Sequence, residues 1–157
     1  MSSNGNLRKK AVLVTGATST VGRQLIQSLY EDKRVNYVAA VALEDVPYYF
    51  QDYNPARFGY FQTNLVRPRD LQNLFTSDPF VGNGVNTVVH LAFQNRPQDR
   101  GEKVHQLNVE GTKAILDKSL ETPQIKKFIF KSSSTVYKIR THNSVTLDED
   151  AELNLEP

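Results

Sequence analysis

The sequence has no cysteine, which excludes disulfides, thiolate nucleophiles and thiolate metal sites together. Histidine is scarce as well. His90, His105 and His142 lie too far apart to show ligand spacing, so no metal site is expected. No apolar run reaches the length of a membrane span, and the opening MSSNGNLRKK carries charge without the apolar core of a signal peptide. The expected address is the cytoplasm, with no membrane partner. An excess of one charge is also missing: 19 Lys plus Arg stand against 17 Asp plus Glu, a formal net charge of +2. That balance argues against nucleic acid as a partner. Arg8, Lys9 and Lys10 read as charges that solvate the chain terminus, and Lys127 and Lys131 as residues around a mostly buried strand.

What is present is an alternation. The 157 residues suffice for one domain with a hydrophobic core. Apolar, β-rich runs at Ala11 to Thr15, Tyr37 to Leu43, Gly59 to Gln62, Thr87 to Leu91 and Lys127 to Ser132 alternate with helix candidates at Val21 to Glu31, Pro68 to Ser77 and roughly Gly101 to Leu120. In the last helix Val104, Leu107, Gly111 and Ile115 recur at three- and four-residue steps as one buried stripe. The nearly continuous apolar runs fit strands covered on both faces. Alternating strand and helix implies right-handed crossovers and a doubly wound parallel α/β sheet, in which ligands sit at the carboxyl ends of the strands where the strand order reverses. The stretch EDVPYYFQDYNPARF, from Glu44 to Phe58, breaks the rhythm. It is a loop on that edge or a short irregular insertion, and its tyrosines either stack on a ligand or pin the loop to the core.

The stretch VLVTGATSTVGRQL joins the first strand to the first helix through Gly16, Ser19 and Gly22. A phosphate grip needs a turn that aims the first helix amides at an anion, with glycine where the backbone bends or comes close. Gly16 fits the turn and Gly22 the approach of the helix to the sheet. Ser19 stands where the pyrophosphate would come nearest, so its β-carbon crowds the ligand or its hydroxyl adds a hydrogen bond. One such turn is weak evidence, because any strand-to-helix turn uses glycine for geometry alone.

Three further motifs follow in order: VVHLAF (Val88 to Phe93), NVEGT (Asn108 to Thr112) and FIFKSSSTVY (Phe128 to Tyr137). With TGATSTVG they resemble the TGxxGxxG, HLAA, NVxGT and SSxxVYG motifs of the extended short-chain dehydrogenase/reductase superfamily, in its NAD-dependent epimerase/dehydratase branch. The resemblance covers nearly the whole chain and implies a Rossmann-like dinucleotide-binding domain over residues 1–157, cut off after about five strands.

By that resemblance Gly16, Thr18, Ser19, Thr20 and Val21 hold the cofactor pyrophosphate. An acidic residue closing the second strand receives the adenosine ribose. Glu44 is the candidate, no Lys or Arg follows nearby, and NAD is therefore preferred over NADP; the alternative is that Glu44 and Asp45 merely solvate the loop. Asn64, in place of the usual Asp, and Leu65 are the adenine candidates. Leu91, Ala92 and Phe93 line the cofactor, Phe93 replacing a customary small residue. Asn108 is the family asparagine, expected to orient backbone rather than react. His90 reads as a packed strand histidine without a catalytic role.

In the family a Ser or Thr, a Tyr and a Lys share the chemistry, and Ser133 corresponds to the serine. No Tyr-x-x-x-Lys occurs in the sequence, and Lys138 replaces a glycine after Tyr137. The resemblance thus implies the NAD(P)-binding portion of an epimerase, dehydratase or reductase acting on a nucleotide sugar or related carbonyl or hydroxyl substrate, inactive by itself. The alternative is a non-catalytic dinucleotide-binding sensor or scaffold. Family members often dimerise through helices flanking the fourth and fifth strands, which makes a homodimer the expected assembly.

Overall fold

The five strands found are β1 (Lys10–Thr15), β2 (Val35–Ala42), β3 (Phe58–Gln62), β4 (Thr87–His90) and β5 (Lys127–Phe130). They form one parallel sheet in the order β3-β2-β1-β4-β5. These come from a computed structural model that describes residues 10–94, 101–138 and 146–154; Arg8, Lys9 and His142 lie outside them. The chain runs outward from β1 to β3, then returns to the other side of β1 for β4. The order reverses between β1 and β4, and a crevice opens there at the strand ends.

Side-chain alternation along β1 and β2 divides the core into two layers. Leu13, Tyr37, Ala39 and Val41 point to one face, where Leu71 and Leu74 of helix α2 (Pro68–Thr76), Phe80 of helix α3 (Asp78–Gly82) and Ile115 of helix α5 (Thr112–Glu121) cover them. Val12, Val14, Val38 and Ala40 point to the other, against Ile26 of helix α1 (Thr20–Glu31) and against Phe50 and Phe58. Both faces of the central strands are dry, which explains their unbroken apolar runs.

Several expectations change. Helix α3 was not expected: Ser77 and Asp78 restart the chain after α2, Pro79 suits a first turn, and fully buried Phe80 anchors it. Strand β5 is exposed rather than mostly buried, with Ile129 and Phe130 each about two-fifths accessible. The long helix is not uniform. Helix α4 (Glu102–His105) passes into a π-helical turn (Gln106–Gly111) before α5, and the wider turn shifts the helix's phase. Gly111 and Ile115 are consequently buried, whereas Val104 and Leu107 are only partly so.

The insertion after β2 contains a 3₁₀ turn at Tyr48–Phe50 and is pinned by aromatic packing. Tyr53 stacks on Tyr30 at 4.3 Å, Phe50 meets Phe58 at 5.1 Å, and Arg57 Nη2 donates to the carbonyls of Tyr30 (2.8 Å) and Val35 (3.1 Å). These contacts set where β3 begins.

Candidate functional site

At the carboxyl end of β1 the chain turns at Gly16 with φ +67°, a conformation that glycine adopts without strain. A β-carbon there would lie 2.9 Å from the Ala92 nitrogen, so the turn sits directly on the backbone that leaves β4. Gly22 is tighter still. A β-carbon at Gly22 would stand 2.2 Å from the Gly16 carbonyl oxygen, so its close approach is to the turn rather than to the sheet.

Ser19 closes this turn as the N-cap of α1. Its hydroxyl accepts from the Gly22 amide at 3.0 Å and donates to the Gly16 carbonyl at 2.7 Å. The hydroxyl's hydrogen and one of its lone pairs are therefore used within the turn. A helix leaves its first amides without intrahelical carbonyls, and Ser19 serves just one of them. Thr20 and Val21 contribute amides to the open end of α1, whose first turn has no acidic side chain.

A cavity of about 400 Å³ lies over this turn, within the roughly 300–1,000 Å³ range of small-molecule sites. Gly16, Thr18 and Ser19 form one wall. Glu44 stands at the end of β2, Asn64 and Leu65 follow β3, and Leu91, Ala92 and Phe93 follow β4. These nine sequence-expected residues meet in one place. Val41, Ala42, Leu43, Thr63, Gln94 and Leu107 complete the lining without having been expected as site residues, Leu107 having been assigned to the buried stripe; adjacency to the named positions is the signal that would have found four of them.

The other candidates lie apart. Thr20 faces a second, more open cavity with Arg23 and Tyr49, whose ring lies under the guanidinium at 4.4 Å. Val21 is half exposed. Asn108 reaches the cavity indirectly: its Oδ1 accepts from the Gln94 amide at 2.9 Å and its Nδ2 donates to the Gln94 carbonyl at 2.7 Å. Ser133 follows β5, just before the 3₁₀ turn Ser134–Val136, and does not line the cavity.

Polar groups around the cavity are individually oriented. Thr18 donates its hydroxyl to Glu44 Oε2 at 2.9 Å, and the Glu44 carbonyl accepts from the Tyr60 hydroxyl at 2.7 Å. Burial first, then the neighbouring Glu44 carboxylate, pushes Tyr60 up to about 12. Asn64 Oδ1 accepts from the Val66 amide at 3.1 Å, which fixes the side chain against the turn after β3. The lining is thus acidic at Glu44 and carries a polar amide at Asn64.

Below the floor lies His90, fully buried. Its Nδ1 is 2.7 Å from Thr15 Oγ1 and its Nε2 2.9 Å from Thr112 Oγ1. Burial pulls its pKa down to about 4, so the ring is neutral at ordinary pH. Among the described residues no group of acidic, histidine or cysteine side chains has the geometry for a metal ion, and no helix is long and apolar enough to cross a membrane.

The model of the NAD dependent epimerase/dehydratase family matches residues 12–156. An uncharacterized protein of Mycobacterium bovis, Mb0513, is 30% identical over 145 residues, which cover 90% of this chain and 36% of that protein. Among solved structures, a short-chain dehydrogenase/reductase superfamily protein from Agrobacterium tumefaciens with bound NAD superposes with a TM-score of 0.71 at 27% identity, covering 94% of this chain and 40% of that one. The dTDP-glucose 4,6-dehydratase of Bacillus anthracis in complex with NAD gives 0.73 at 16% identity, covering 94% and 45%. The chain spans less than half the length of each of these proteins.

Proposed function

Because the chain belongs to the NAD-dependent epimerase/dehydratase family, we propose that it is the NAD(P)-binding portion of an epimerase, dehydratase or reductase. The observation that carries this reading is the cavity at the strand-order reversal, where the Gly16 to Gly22 turn, Glu44, Asn64 and Ala92 converge. The residues fit a dinucleotide. First-turn amides of α1 suit a pyrophosphate, Glu44 suits a ribose hydroxyl, and the Asn64 amide, able to donate or accept, suits the polar edge of adenine. NAD is favoured over NADP because the Glu44 carboxylate would repel a 2′-phosphate.

The bound nicotinamide would supply a reversible hydride acceptor. The chain's own residues hold and orient it, and Ser133 is the candidate donor to a substrate oxygen. The substrate class proposed for the longer protein is a nucleotide sugar or related carbonyl or hydroxyl compound, in line with the dehydratase neighbour. Turnover is not expected from these 157 residues, which contain no Tyr-x-x-x-Lys for the proton transfer that contributes roughly 10²- to 10⁴-fold in rate. A second reading, a dinucleotide-binding sensor or scaffold, finds support in Ser19, Asn64, Phe93 and Lys138, which depart from the family's motifs. A homodimer through the outer face of residues 102–121 finds support in the exposed Val109, Leu116 and Leu120.

The test is a titration of the folded protein with NADH and NADPH by fluorescence or calorimetry. Saturable binding with NADH tighter is expected. No saturation at millimolar ligand overturns the reading, and reproducible turnover by the purified chain overturns its catalytic part.

A further inference from the structure

We infer that His90 is a positioning residue for the cavity floor: it holds the Thr15 hydroxyl so that one oxygen gathers the Leu91 and Ala92 amides and bends the chain out of β4. The inference rests on the dinucleotide reading, and it adds a residue that touches no ligand.

The argument is a count of hydrogens and lone pairs. Thr15 Oγ1 accepts from the amides of Leu91 at 3.1 Å and Ala92 at 3.2 Å. Both of its lone pairs are then in use, so its own hydrogen must go to the remaining neighbour, His90 Nδ1 at 2.7 Å. Nδ1 is therefore unprotonated. A neutral ring carries its hydrogen on the other nitrogen, and Nε2 donates to Thr112 Oγ1 at 2.9 Å. Direction is thus set along the whole chain of contacts, from β1 through β4 to the start of α5.

The centre of this set is shielded from water: Thr15 and His90 are both fully buried, and Phe130 of β5 stacks on the ring at 5.7 Å. Two consecutive amides turned toward one hydroxyl cannot continue a strand ladder, which is why β4 stops at His90. The second of these amides belongs to the Leu91–Ala92 peptide, the one that Gly16 rests on, where a β-carbon would come within 2.9 Å. Leu91, Ala92 and Gly16 all line the cavity. Asn108 holds the next part of the same segment through Gln94, so the floor is fixed at both ends.

The test compares His90→Phe, which keeps a ring without nitrogen, and Thr15→Val, which keeps the shape without the hydroxyl, with His90→Asn, whose Oδ1 can still accept from Thr15. Hydrogen exchange at the Leu91 and Ala92 amides should quicken at least about tenfold in the first two, while the neighbouring β4 amides stay protected. NADH affinity should fall about tenfold in both and be restored to within about threefold of wild type by His90→Asn. In the wild-type protein, ¹⁵N spectra should show the His90 proton on Nε2 at neutral pH. A proton on Nδ1, or exchange that rises uniformly across the sheet, overturns the inference. If wild-type protein binds no NADH, the cofactor reading falls, and the exchange and tautomer measurements still decide the role of His90.

Discussion

Replacing Gly22 with alanine sets two opposing effects against each other. Alanine is the better helix former by about 1 kcal/mol, and Gly22 lies in the first turn of α1, so propensity alone favours the variant. The added carbon, however, would lie 2.2 Å from the Gly16 carbonyl oxygen and 3.0 Å from Ser19 Oγ. The first contact is with backbone and must open by about 1 Å or more to reach ordinary separation. Helix α1 cannot move by that amount and keep the Ser19 to Gly22 hydrogen bond, now 3.0 Å. Crowding of this kind costs about 1–3 kcal/mol and a lost cap about 1 kcal/mol, so the clash wins by about 1–3 kcal/mol. For a chain of this size that lowers Tm by about 2–12 °C. Gly82→Ala is the control: it lies in α3, a β-carbon there meets nothing within 4 Å, and Tm should hold or rise. Thermal unfolding followed by circular dichroism reads both. A Gly22→Ala protein at least as stable as wild type would refute the close-approach argument.

Acid should destabilise the fold through His90. Its folded pKa, about 4, lies below the ordinary 6.5, so the unfolded chain takes up the proton first. The stability it contributes is full above about pH 6.5 and is lost as pH falls toward 4, about 3 kcal/mol in all; urea unfolding that is unchanged between pH 7 and 4.5, or NMR titration of His90 near 6.5, contradicts this. Glu44→Arg should move cofactor preference toward NADPH by removing a carboxylate and adding a cation at the end of β2, and an unchanged NADH to NADPH affinity ratio argues that Glu44 faces solvent instead. Arg57→Ala should lower Tm by several degrees, because two carbonyls lose their donor and Tyr30 loses the guanidinium 5.0 Å from its ring centre. Wild-type Tm in that variant would mean that the aromatic contacts alone hold the insertion.

Sequence alone determined the elements whose signal is local. The five strands are legible because each is a short apolar run bounded by turn residues, and the turn after β1 because a positive φ and a close approach both demand glycine, at Gly16 and Gly22. The alternation of strand with helix carried the parallel sheet. Tertiary structure decided what depends on partners distant in the chain. Thr15 and His90 are 75 residues apart, and nothing near either one says that a single hydroxyl will end β4 one residue early. Ser19 lines the cavity as its place in the turn implied, but its role as N-cap, with bonds to the Gly22 amide and the Gly16 carbonyl, appears only once α1 is folded onto the turn. The exposure of β5 depends on what packs over the sheet faces, which its own apolar sequence does not record. The π-helical turn was hidden for a related reason, since a periodicity of three and four residues is the same on either side of it, and only packing against the Gln94 backbone and the core beneath Ile115 requires the two parts to differ in phase.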